Sequence, residues 1–259
     1  MSRGLRTRFK AALWARGIEV RRRGGGVRRT VEELMDHVNR MGFQPATVID
    51  VGVAYGTPEL YQAFPRARHL LIEPLEEYAE ALGRIAREHG AEFVLAAAGS
   101  EAGTTTINVH RAPALSSTLG AWQGAGGQTN AREVPVVRVD DVVAERGLPG
   151  PYVLKVDVEG GELGVLGGAP RVLEGAELVL LESYLFELLP GAPLLHDVTA
   201  YMAERGFVVY ELYGGDVRPL DGALALVNVA FVRRDGFFRA DQSYATPEQF
   251  ERLVRSWGY

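Results

Sequence analysis

The stretch Val48-Ile49-Asp50-Val51-Gly52-Val53-Ala54-Tyr55-Gly56-Thr57 runs from an apolar segment into a D-x-G-x-x-x-G loop. An apolar run this short, halted by glycine, reads as a strand buried on both faces that ends in a tight turn. In a doubly wound sheet, ligands bind outside the carboxyl ends of the strands, and glycines there let a ligand approach the backbone. Seventeen residues beyond Gly56, a second apolar run over 69–73 ends in Glu73. That is where an acid can accept hydrogen bonds from both hydroxyls of an adenosine ribose. The G-x-G-x-x-G of dinucleotide-binding folds is missing, because Asp50 stands two places before Gly52. An acid beside the loop repels a pyrophosphate but suits a ligand with an ammonium and a sulfonium, so S-adenosylmethionine is expected rather than NAD.

Outward from this loop, helical and strand periodicities alternate. Residues 31–42 read as a helix closed by Gly42, 46–51 as the first strand, 69–73 as the second, 75–89 as a helix and 92–97 as a third strand. The pattern resumes with strands at 152–158, 178–182, 207–212 and 224–232, and with helices near 162–173 and 194–205. Short apolar strands separated by helices predict an α/β fold with a doubly wound, mostly parallel sheet covered on both faces. Between the halves, 104–110 and 134–139 alternate as strands. They flank a glycine-rich segment, 111–133, with Ser116, Ser117 and Trp122, whose length suggests a lid over a substrate. Thr246-Pro247-Glu248-Gln249 has capping-box spacing and predicts a final helix. The expected organisation is a basic arm and helix over 1–45, a cofactor-binding domain over 46–233, and a helical tail over 234–259.

Composition narrows the chemistry. Of 259 residues, 47% are hydrophobic and 24% charged, as in ordinary globular chains, and there is no internal repeat. The absence of cysteine excludes disulfides, thiolate metal sites and cysteine nucleophiles from this chain. Residues 1–29 carry a net charge of +9 and the remainder −14. A basic arm of this kind is usually solvated, although weak contact with an anionic surface fits it as well. The acidity of the rest disfavours a nucleic-acid substrate. No run approaches the roughly 18 apolar residues of a bilayer span, so a cytoplasmic protein is expected, with homo-oligomer formation left open.

A second constellation, Lys155-Val156-Asp157-Val158-Glu159-Gly160-Gly161-Glu162, ends the strand that opens the second half. Period two puts Lys155 and Asp157 on one face, with Asp157 at the carboxyl edge beside the switch point. Acids there can orient an ammonium, remove a proton from a hydroxyl or hold a cation, while pairing with Lys155 is the plainer alternative for Asp157. Glu182 ends the next strand at the same edge, and His110 ends the strand before the glycine-rich segment. Tyr55 and Trp122 near the loops can face a sulfonium or a sugar ring, while packing or loop anchoring is the commoner role of such residues.

Taken in order, VIDVGVAYGT (48–57), LIEPLEEY (71–78), AAGSEAG (97–103), SSTL (116–119), the segment 136–142 with Asp140-Asp141, and KVDVEGGE (155–162) resemble the FkbM family of S-adenosylmethionine-dependent methyltransferases. The resemblance covers about 46–233. It departs from the family at Val53-Ala54, where alanine then asparagine is frequent, and at Gly161, where a larger residue is frequent. It implies a Rossmann-like class I fold with seven strands, the last antiparallel, and O-methylation of a small-molecule hydroxyl on a sugar, glycoside or polyketide-type compound. On that basis the cofactor contacts are Asp50, Gly52, Tyr55, Gly56, Thr57, Glu73, Pro74, Ala97, Ala98, Ser100, Ser117 and Asp157. The residues of the reacting centre are Asp157, Glu159, Glu182 and His110. A Mg²⁺ ion on Asp157 and Glu159 is conceivable but not favoured. A nucleotide-dependent oxidoreductase and a non-catalytic binding module that uses the basic arm are the competing readings.

Overall fold

The protein, obtained as a computed structural model, is described over residues 27–120 and 129–257. The basic arm up to residue 26 and the glycines and Trp122 within 121–128 therefore lie outside the described residues. The chain enters α1 (Val31–Met41), where the Thr30 hydroxyl accepts the Glu33 amide and Gly42 closes the helix in the left-handed region. It continues through β1 (Thr47–Val51), α2 (Pro58–Ala63), β2 (Arg68–Glu73), α3 (Ala79–His89), β3 (Glu92–Leu95), β4 (Ala97–Ala98), β5 (Gly103–His110) and β6 (Thr129–Val137). The second half holds α4 (Val139–Glu145), β7 (Tyr152–Val156), α5 (Glu162–Gly167), α6 (Pro170–Gly175), β8 (Ala176–Tyr184), α7 (Leu195–Glu204), β9 (Phe207–Val217), β10 (Leu224–Arg233) and α8 (Pro247–Trp257).

Seven strands form one sheet in the order β3-β2-β1-β7-β8-β10-β9. β10 pairs antiparallel with both β8 and β9, and the pairs from β3 through β8 are parallel. This is the doubly wound class I arrangement, with the last strand reversed between its neighbours. The strands are apolar on both sides because both sides are covered. Ile49, Val51, Leu70 and Ile72 pack with α4, α5, α6 and α7, while Val48, Leu71, Val153 and Leu180 pack with α1, α2 and α3.

Several details differ from the sequence reading. The strand expected over 134–139 runs from Thr129 to Val137, so that its first five residues fall inside the segment expected as a lid, and the helix expected over 75–89 starts at Ala79. The strand expected over 92–97 breaks at Ala96, so that β3 stays in the main sheet while β4 joins a second, three-stranded sheet in the order β4-β6-β5. The helix expected over 162–173 is two short helices. The turn between them comes so close to another segment that a Cβ on Gly168 would lie 2.0 Å from the Gly99 carbonyl oxygen. Helices α2 and α4 were not anticipated, since each has barely two turns of periodic pattern. At the chain's end the capping box forms: the Thr246 amide donates to the Gln249 side chain (2.9 Å), and the Gln249 amide to the Thr246 hydroxyl (3.2 Å).

At the centre of the sheet the two sequence constellations meet. β1 lies beside β7 in register, with Asp50 opposite Lys155 and Val51 opposite Val156. Gly52 follows with φ +76°, and a Cβ there would sit 1.7 Å from the Asp157 carbonyl oxygen. Only glycine satisfies both the left-handed backbone and this approach. Gly52→Ala is expected to destabilise the fold by ~3 kcal/mol or more, from backbone strain plus overpacking, read as a lowered urea midpoint.

Candidate active site

A cleft with about 940 Å³ of empty volume opens at the carboxyl ends of β1, β2, β7 and β8, where ligands of open α/β sheets bind. Its two halves differ in chemistry. One half is walled by Val51, Ile72, Leu75 and Ile107, with Ala97 and Ala98 alongside. Here Glu73 is buried at the tip of β2, one carboxylate oxygen accepting the Ala54 amide and the other the Leu75 amide, both at 3.0 Å. Burial raises its pKa while those two amides pull it back. Tyr78, only 2% exposed, also lines this half, and its hydroxyl has no hydrogen-bond partner. An apolar slot with one carboxylate and one orphaned buried hydroxyl fits an adenosine: a flat base for the walls, and hydroxyls and ring nitrogens for the polar groups.

The other half is acidic. Asp157, Glu159 and Glu182 each bring a carboxylate oxygen within 4.8 Å of the others. Lys155 beneath them donates to Asp50 (3.2 Å) and pairs with Asp157 (3.3 Å). Burial pulls the Lys155 pKa down, but the two aspartates outweigh it and leave the ammonium held above its ordinary value. Burial pushes Glu159 up to about 7, aided by the charges of Asp157 and Glu162 and opposed by a hydrogen bond from Tyr184. Glu182 is raised by burial and by the charges of Asp157, Glu159 and Glu162. Glu162 is also pushed up to about 7 by burial, although its carboxylate accepts the amides of Gly160 (3.0 Å) and Val158 (3.4 Å). It thereby ties down the turn that carries Glu159, one of two non-glycine residues with positive φ among the described residues, at +54°.

Of the residues singled out in the sequence, Gly52, Glu73, Pro74, Ala97, Ala98, Asp157, Glu159 and Glu182 line this one cleft. Others do not reach it. Asp50 is fully buried on the opposite side of β1, where Tyr61 donates to it at 2.5 Å and Lys155 donates to its second oxygen, so it braces the sheet. Gly56 is demanded by its left-handed backbone, φ +100°, and a Cβ there would also lie 2.6 Å from Ile85 Cδ1. Thr57 precedes α2 and its amide donates to the Tyr61 hydroxyl. Tyr55 is 71% exposed and stands edge-on to Tyr78. Ser100 is exposed against Gly167, and its carbonyl accepts Arg138. His110 folds into a local turn in which its Nδ1 accepts the Ala112 amide. Ser117 is buried, and its hydroxyl donates to the Glu159 carbonyl at 2.7 Å, so it fastens the acid turn.

Tyr78, Tyr184 and Glu162 were given no role from sequence. Tyr78 closes the LIEPLEEY run and Glu162 closes KVDVEGGE, so their place in the motifs was the available signal. Nothing local marked Tyr184, because its partner lies 25 positions away.

Sheet order, switch-point cleft and acid-tipped second strand define a Rossmann-like methyltransferase of class I. A model of the Methyltransferase FkbM domain matches residues 50–209, and the chain belongs to that family. No curated protein matches it. Among solved structures it is similar to the magnesium protoporphyrin IX methyltransferase of Synechocystis PCC 6803 with bound SAM (12% identity, 88% of this chain and 95% of that one, TM-score 0.44). It is similar also to an rRNA methylase from Streptococcus thermophilus (11%, 81% and 99%, 0.44) and to the precorrin-6y C5,15-methyltransferase of Geobacter metallireducens GS-15 (11%, 78% and 87%, 0.40). These likenesses carry no assignment of substrate.

Because Lys155 is the cation bonded to the wholly buried Asp50, Lys155→Met is expected to destabilise the protein by ~3–5 kcal/mol in chemical denaturation, the cost of stranding a buried charge. A Lys155→Met protein as stable as the wild type would show that Asp50 does not depend on this pair.

Proposed function

We propose that this methyltransferase uses S-adenosylmethionine to methylate a hydroxyl oxygen of a small molecule, with Glu159 receiving the hydroxyl proton. The observation that carries the reading is the Glu159 carboxylate: it faces the cleft, is mostly buried, and has its proton affinity raised to about 7, the range of an effective general base. Glu73 and Tyr78 would hold the adenosine, and Asp157, anchored by Lys155, would face the cationic end of the cofactor. When bound, the cofactor supplies an electrophilic methyl on a sulfonium that leaves as a neutral thioether. Glu159 then has one task, to take the proton as the acceptor oxygen forms its new bond to carbon, and alignment within the cleft supplies much of the rate. The apolar walls keep water, a competing nucleophile, out of the adenosine half. The three carboxylate oxygens are also spaced to suit a hard cation. A metal-free reaction predicts the same turnover with and without EDTA.

The first experiment is titration calorimetry with S-adenosylhomocysteine, followed by a screen of hydroxylated acceptors, sugars first, for methyl transfer. Micromolar binding supports the cofactor reading, and no binding overturns it. Glu73→Ala is expected to weaken that binding about tenfold or more, as loss of charged hydrogen bonds should. Glu159→Gln is expected to lower turnover about 10²- to 10⁴-fold while changing the affinity for S-adenosylhomocysteine less than about threefold.

A base must be deprotonated to act. Turnover is therefore expected to fall about tenfold per pH unit below a midpoint near 7 and to level off above it. A turnover profile flat from pH 5 to 9 would remove Glu159 from the role.

A further inference from the structure

Glu159 is held at three points by groups from three separate parts of the chain. Its side chain accepts the Tyr184 hydroxyl at 2.5 Å from the end of β8. Its backbone carbonyl accepts the Ser117 hydroxyl at 2.7 Å from the segment that follows β5. The amides on either side of it, Val158 and Gly160, are bound by the Glu162 carboxylate from the start of α5. The left-handed backbone of Glu159 costs energy for a residue with a side chain, and such strain persists only where the surroundings over-determine it.

The Ser117 attachment is more than one hydrogen bond. Ser117 pairs with Asn108 of β5 through both backbone groups, N–H to O at 3.3 Å and O to N–H at 2.9 Å. Two residues on, Leu119 lies over Gly160 so closely that a Cβ on that glycine would be 2.8 Å from Leu119 Cδ1. On its other side the same strap carries Pro113 and Ala114 into the cleft wall. A strap of about eight residues thus lines the cleft and is bonded to β5 and to the acid turn.

We propose that Tyr184 and Ser117 are positioning residues, which together hold the Glu159 carboxylate in the cleft and make its placement depend on the seated 112–119 strap. This rests on Glu159 being the base of the reaction proposed above. Tyr184 acts on the side chain and Ser117 on the backbone. Without the Tyr184 hydroxyl the carboxylate loses the bond that fixes one of its oxygens, and the side chain is released to other rotamers. Without the Ser117 hydroxyl the turn loses the bond that keeps Glu159 in the left-handed conformation, and the carboxylate samples more than one position. The charged and titratable groups that face Glu159 are Asp157 from the end of β7, Glu162 from α5, and Glu182 and Tyr184 from β8.

The test is ¹³C NMR of the full-length protein labelled at glutamate side-chain carboxyls, saturated with S-adenosylhomocysteine in EDTA, at one fixed pH. The Glu159 resonance is the one lost in Glu159→Gln. The expected wild-type result is a single sharp line. In Tyr184→Phe and in Ser117→Ala that line broadens or splits, and Ser117→Thr, which restores the hydroxyl, returns a single line. Thermal unfolding of each variant separates these effects from loss of fold, and Tyr184→Phe keeps the volume of its site nearly unchanged. A wild-type line shape in both Tyr184→Phe and Ser117→Ala overturns the positioning proposal alone. Wild-type turnover in Glu159→Gln overturns the reading of Glu159 as the base.

Discussion

One ammonium group, that of Lys155, sits between two carboxylates that belong to different strands and serve different ends. Asp50 on β1 is wholly buried and would be an unpaired charge without it; Asp157, just past β7, is the half-exposed acid at the mouth of the cleft. The pairing is possible because β1 and β7 are neighbours in register, with Asp50 opposite Lys155. It holds only if the two strand ends come together closely, which the missing side chain of Gly52 permits. Sheet register, glycine turn and acid placement are thus one constraint. A shift of one residue in β1 would turn Asp50 to the other face, and one in β7 would turn Lys155 and Asp157.

Above this base the cleft concentrates negative charge. Asp157, Glu159, Glu162 and Glu182 crowd one end of the sheet while Lys155 is the cation that the described residues bring among them. Like charges packed together in a partly buried place are costly, and the outcome is that some of these carboxyls keep their protons near neutral pH. In the terms of catalysis this is useful: a carboxylate whose proton affinity matches the surrounding pH exchanges protons readily, whereas an ordinary glutamate is too weak a base. The strained backbone at Glu159 lies in the same place, in keeping with strain gathering where function requires an exact geometry.

The alternation of apolar runs and helices sufficed to read the layered fold, because β1, β2, β7 and β8 are buried on both faces and carry an unbroken apolar signal. The break at Ala96 was hidden, since a strand that changes sheets keeps the same apolar composition. In the site, Glu73, Asp157, Glu159 and Glu182 were legible because each stands at the carboxyl end of a strand, and that edge is where this architecture binds ligands. Gly52 and Gly56 looked alike in sequence, yet one meets the acid loop and the other makes room for Ile85, a difference set by packing partners far along the chain. Asp50 stands apart from the cleft lining for a related reason. Period two says which side of a strand a residue faces but not which helix covers that side, and here Tyr61 of α2 covers it. Ser117 and Tyr184 act on Glu159 across 42 and 25 positions, and no local pattern encodes such pairs.

The antiparallel hairpin of β5 and β6 has a consequence for how this fold can diversify. His110 and Thr129 face each other as the last paired residues of that hairpin, so the two ends of the connection between them lie side by side. The cost of closing a connection with fixed ends grows only slowly with its length. Residues can therefore be added or removed beyond the strap without moving the seven-stranded sheet, the apolar slot or the acid turn. Such a hairpin works as an exchangeable cassette, its loop open to variation while the cleft is inherited intact.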